Sequence, residues 1–67
     1  MKITAERLKE LRAEKGISAK ALGKIIGVSD ASIICWENNQ YDIKGENLAK
    51  LAQYFGVTTD YLLGLEE

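Results

Sequence analysis

The sequence predicts an all-α fold, a compact domain of five short helices. Three observations carry that prediction. Proline is absent from all 67 residues, so nothing interrupts a helical backbone. Apolar residues recur at three- and four-residue spacings and do not alternate, which is the helical period. Serine, threonine and glycine stand at intervals that start and stop helices of about ten residues.

The first helix is expected from Thr4, read as an N-cap, to Lys15, with Leu8 and Leu11 facing inward and Gly16 as the stop. Glu6, Glu10 and Glu14 recur every four residues on its other face, beside Arg7 and Lys9, and read as solvated surface. Ser18 caps the second helix, whose Ala21, Leu22, Ile25 and Ile26 are expected to point inward and which Gly27 ends. Ser29 caps the third, from Asp30 to Asn38, with Ile33 and Trp36 in the core and a stop at Asn38-Asn39, where asparagine tolerates positive φ. Only Gly27 and Val28 separate the second helix from the cap of the third, so the two cross steeply as a helix-turn-helix. A loop through Gln40 and Tyr41 leads to the fourth helix, Gly45 to Phe55. There Leu48, Leu51, Ala52 and Phe55 form the apolar stripe, and Gly56 is the stop. The last helix, capped by Thr58 or Thr59, carries Tyr61, Leu62 and Leu63.

Composition narrows the function. Hydrophobic residues are 46% and charged residues 28%, the balance of a water-soluble globule, and 67 residues suffice for one domain spanning 1–67. No apolar run approaches the roughly 20 residues that cross a bilayer, and the amino end lacks a signal-peptide stretch. One cysteine and no histidine leave no internal disulfide and no common zinc site, so a cytoplasmic protein without metal is expected. No neutral-pH base and no phosphate-cradling glycine loop is present, which argues against an enzyme and predicts no cofactor or small-molecule ligand. Net charge is −1 but unevenly placed: residues 1–30 hold seven cations against four carboxylates (+3), and residues 31–67 hold two against six (−4).

The run Glu6 to Arg12, then Lys15-Gly16-Ile17-Ser18, Ala21-Leu22-Gly23, Ile26-Gly27-Val28-Ser29, Ile33, Trp36-Glu37-Asn38, Glu46-Asn47-Leu48 and Asp60 to Gly64 resembles the Cro and phage-repressor helix-turn-helix family, the XRE family. The resemblance covers nearly the whole chain, and the stretch from Leu22 through Trp36-Glu37 to Gly45-Glu46-Asn47-Leu48 is especially similar to the DNA-binding domains of lambdoid phage repressors. It implies the lambda-repressor-like fold, with the third helix as a recognition helix in the major groove of double-stranded DNA and the second bridging the backbone. Ser18, Ala19 and Ser29 then face the DNA strand. Asp30, Ala31, Ile34 and Cys35 occupy base-edge or nearby positions, and Ser32 is a phosphate or base contact. Asn38, Asn39 and Lys44 match loop positions that touch the backbone in relatives. Arg12 matches an arginine that pairs with the glutamate after the aromatic residue, here Glu37, and comparable losses are expected from removing either partner.

This chain departs from the family pattern in its reading helix. Ala19 and Asp30 stand where glutamines are common, Cys35 where a long polar side chain is common, and Asp30 to Asn38 contains no cation. Asp30 can accept from cytosine or simply favour a helix start, and Ala31 and Ile34 can meet thymine methyls. Cys35 is either an oxidisable thiol or an ordinary small side chain, and Trp36 is core in preference to a stacking platform.

The last helix carries more apolar surface than its own packing needs, which places a homodimer contact at Tyr61, Leu62, Leu63 and Leu65, with Phe55 and Val57 behind. The function so implied is a sequence-specific, double-stranded DNA-binding transcription regulator of prokaryotic or phage type, a repressor binding a palindromic operator as a dimer. The alternative is a protein-interaction module, antitoxin-like or decoy, that uses Ala31, Ile34 and Cys35 on a protein partner. Relatives often continue into a second domain, so a segment of a longer repressor is also open.

Overall fold

A computed structural model of the chain describes residues 1–66. Five helices follow one another: α1 (Lys2–Lys15), α2 (Ala19–Ile26), α3 (Asp30–Glu37), α4 (Gly45–Phe55) and α5 (Thr59–Leu63). No strand occurs among the described residues, and none of the helices is long and apolar enough to cross a membrane.

The core is built from one fully buried side chain per helix: Leu8 of α1, Leu22 of α2, Ile33 of α3, Leu51 of α4 and Leu62 of α5. Ile26, Trp36, Leu48 and Ala52 complete it. Each such leucine or isoleucine contributes about 1.5–3 kcal/mol on leaving water. Helix starts are set locally. The hydroxyl of Ser18 accepts from the Ala21 amide at 3.0 Å, that of Ser29 from Ser32 at 3.2 Å, and that of Thr58 from Tyr61 at 3.0 Å.

Four expectations are corrected. Thr4 is no cap: α1 begins at Lys2, and Thr4 lies inside it, 5% exposed. Tertiary contacts hold the added residues in place, because the Met1 ammonium pairs with the Asp42 carboxylate and Ile3 packs beside Gly64. Ile25, expected inward, is 52% exposed, and Ala21 is half-buried. At about 100° per residue, Ala19, Leu22, Gly23 and Ile26 define the buried stripe of α2, and Ile25 falls more than a quarter-turn off its centre. Leu62 cannot be an interface residue, since it is fully buried at the centre of the core. The third helix ends at Glu37, one residue short of expectation, and the left-handed residue is Asn39 (φ 58°).

Candidate nucleic-acid interface

The α2–α3 turn depends on Gly23. A Cβ there would stand 2.6 Å from the Val28 carbonyl oxygen and 3.2 Å from the Ser29 carbonyl carbon, so the chain after α2 crosses directly over this residue. The Gly23 carbonyl accepts from both Gly27 (2.7 Å) and Val28 (2.8 Å), and Gly27 takes φ 91°, which an L side chain resists. Each of the two helices is opened by an exposed serine. In α2 the first amide bonded within the helix is that of Leu22, to Ser18 at 2.9 Å, and Ser18 satisfies Ala21. The amides of Ala19 and Lys20 at that end therefore lack an intrahelical acceptor, as in any helical first turn, and aligned peptide dipoles make such an end favourable to phosphate.

On α3, Asp30 and Ala31 are exposed and Ile34 is 46% exposed, whereas Ser32 and Cys35 are half-buried. Asp30 turns its carboxylate onto its own helix, accepting from the Ala31 amide at 2.9 Å, and the Ser29 and Ser32 hydroxyls lie 3.1 Å apart. The carboxylate therefore serves the helix start and still puts negative charge on the surface. Ala19 is half-buried against the core, so only part of its methyl reaches this surface. Asn38, Asn39 and Lys44 are exposed along the following loop.

Behind α3 stands an ion pair that fixes its attitude. Arg12 Nε donates to Glu37 Oε2 at 2.6 Å and Nη2 donates to Oε1 at 2.9 Å, a two-bond fork. The third arm, Nη1, donates to the Ile17 carbonyl at 3.1 Å. Side-chain exposure is 26% for Arg12 and 5% for Glu37. The hydrogen bond to Glu37 raises the guanidinium above its ordinary pKa, partly opposed by burial and aided by the carboxylate charge. A raised value means that the pair's contribution is present below the ordinary arginine range and is lost only as pH climbs beyond it, outside working conditions. One salt-resistant tie thus joins α1, the α1–α2 loop and the end of α3.

Sequence reasoning missed two features. The first is a cleft of about 520 Å³ beside α3, lined by Ser32, Trp36, Tyr41, Asp42, Lys44 and Asn47, which puts the loop residue Tyr41 next to the expected Lys44 contact. Nothing in the local pattern around Tyr41 distinguishes it from ordinary loop. The second is Arg7, whose guanidinium lies 4.2 Å from the Tyr61 ring centroid. Partners 54 residues apart leave no periodic trace. Of the apolar residues at the last helix, Tyr61 and Leu63 are half-buried and Leu65 is 72% exposed.

The chain is similar to known proteins in sequence and in fold. Repressor protein C2 of Salmonella phage P22 is 38% identical over 61 residues, covering 91% of this chain and 28% of that protein. The HTH-type transcriptional regulator ImmR of Bacillus subtilis (strain 168) is 32% identical over 62 residues, covering 92% of this chain and 49% of its own length. The chain thus spans half or less of these relatives. Among solved structures, the P22 c2 repressor in complex with a synthetic operator superposes with a TM-score of 0.85 at 37% identity, covering 88% of this chain and 89% of that one. The solution structure of the P22 C2 repressor DNA-binding domain gives 0.84 at 38% identity, covering 90% and 79%. Residues 5–67 match the family described as a helix-turn-helix domain, and to that family, in its XRE-type, phage-repressor branch, this chain belongs.

Proposed function

We propose that this chain is a sequence-specific DNA-binding repressor module that places α3 in the major groove of an operator and binds as a two-fold dimer. The observation that carries this reading is the likeness, at 37% identity, to a repressor solved on its operator. The exposed outer side of α3 supports it, as do the two exposed serine-capped helix starts. In this reading Ser18, Ser29, Asn38, Asn39 and Lys44 hold phosphates, with Ala19 and Ser32 at the edge of that surface. Asp30, Ala31, Ile34 and Cys35 meet base edges, mainly through thymine methyls. Leu65, with parts of Tyr61 and Leu63, pairs the two copies so that their reading helices repeat at about one turn of DNA, roughly 34 Å.

Because α3 carries no lysine or arginine, phosphate contacts rest on flanking lysines. The slope of log affinity against log salt is therefore shallow, about −3 per monomer for three neutralised phosphates. The same lack of cations, with Ile34 exposed, favours one other reading, a protein partner on α3. Selection of bound sequences from random duplexes at low and moderate salt separates the two. A two-fold symmetric site is expected, and indifference among duplexes would overturn the DNA reading. Asp30→Asn is expected to raise affinity for the selected site by a few-fold, about 0.5–1 kcal/mol, through removal of one carboxylate from the phosphate surface.

A further inference from the structure

We infer that the outer face of α3 reads a pyrimidine C5 methyl together with an exocyclic amine, so that duplex DNA carrying 5-methylcytosine is its best ligand, an inference that rests on the DNA reading proposed above. Asp30, Ala31, Ile34 and Cys35 follow one another at helical spacings and share one side of α3. Asp30 and Ala31 are exposed, Ile34 is 46% exposed and Cys35 is half-buried. What this set lacks is a strong hydrogen-bond donor. Alanine and isoleucine side chains have none, a thiol is a weak one, and an ionised carboxylate only accepts. The helix carries no lysine, arginine, asparagine or glutamine, and its one hydroxyl, on Ser32, is half-buried and lies 3.1 Å from that of Ser29.

In the major groove guanine offers acceptors, adenine an acceptor and an amine, thymine an acceptor and a methyl, and cytosine an amine. A face without donors gains nothing from the acceptors. Two means of choosing are left to it: the Asp30 carboxylate for an amine, and the methyls of Ala31 and Ile34 for a methyl. Thymine satisfies only the second and sets its O4 against the carboxylate. Cytosine satisfies only the first. 5-Methylcytosine presents both on adjacent ring atoms, and Asp30 and Ala31 are adjacent in the first turn of α3. Asp30 Oδ1 accepts from the Ala31 amide at 2.9 Å, which holds the carboxylate against the Ala31 backbone. A carboxylate so engaged keeps lone pairs for a second donor.

The test is competition binding, at one fixed salt concentration, among duplexes built on the site selected from random DNA. Deoxyuridine placed at each thymine in turn is expected to weaken binding about four-fold where the thymine faces Ala31 and Ile34, the effect of one methyl left in water. Replacing that T·A pair by 5-methylcytosine·guanine should tighten binding by about two-fold or more, with plain cytosine·guanine about four-fold below the methylated pair. Ile34→Ala should cut this methyl ratio to under about two-fold without moving the unfolding midpoint, since Ile34 is exposed. Asp30→Asn, whose amide can donate to thymine O4, should abolish the preference over T·A. A methyl ratio that survives Ile34→Ala comes from the altered shape of the duplex and overturns the inference. So does tighter binding of T·A than of 5-methylcytosine·guanine, or a specific site that ignores both modified bases, and in either case the DNA reading stands. Indifference among all duplexes removes the DNA reading and this inference with it.

Discussion

The turn between α2 and α3 and the turn after α5 use the same parts, a hydroxyl cap before the helix and a left-handed glycine after it. They differ in what holds them. The first is specified almost entirely within residues 18–32: Ser18 and Ser29 satisfy amides three residues on, and Gly23 accepts the crossing of its own downstream chain. The second is completed from the far end of the sequence, by Arg7 and Ile3 of α1. A locally specified turn can carry a surface whose geometry must be the same in every molecule. A turn completed from a distance is coupled to the rest of the fold, and can be altered by a change far away in sequence.

The largest effect that sharpens this contrast is Leu62→Ala. Leu62 is fully buried, so the loss should be about 3–4 kcal/mol in urea unfolding, whereas Leu65→Ala should leave monomer stability within about 0.5 kcal/mol. Next comes the tie behind the reading helix. Arg12→Ala strands the Glu37 carboxylate, which is 5% exposed, and should cost about 3 kcal/mol. Glu37→Ala leaves a guanidinium that already reaches water and should cost about half of that, so the two losses are unequal. A double mutant no worse than Arg12→Ala alone is expected from thermal unfolding. Gly23→Ala follows, at about 2 kcal/mol, because its methyl meets backbone and not a movable side chain. Equal stability for Gly23→Ala would break the comparison, since the turn would then tolerate a shift. Smallest is Ser29→Ala, about 1 kcal/mol by denaturation, with DNA affinity falling alongside if the cap also faces phosphate.

The features that could be read from sequence are those whose cause is local. Serine caps, glycine stops and the Leu22/Ile26 stripe each rest on residues within one or two turns, and α4 emerged with its bounds as expected. The Arg12–Glu37 pairing came from family resemblance, because 25 residues separate partners that no spacing rule connects. What failed depended on packing. Thr4 lost its cap role because contacts with Gly64 and Asp42 stabilise an earlier start. Ile25 was misassigned because the stripe of α2 is centred on the glycine side, where α3 comes close. Leu62 was taken for surface because an apolar cluster at a chain end looks alike whether it closes a core or meets a partner. At the reading surface, residue positions followed from the motif, but Asp30's turn back onto the Ala31 amide did not.

The arrangement of one wholly enclosed side chain from each helix has a bearing on how the molecule comes apart. No four helices can shut out water without the fifth, so detaching even the shortest opens a hole at the middle of the other four. Melting should accordingly be all-or-none, and a protease that trims at α5 should lead to digestion of the remainder, leaving no resistant four-helix fragment.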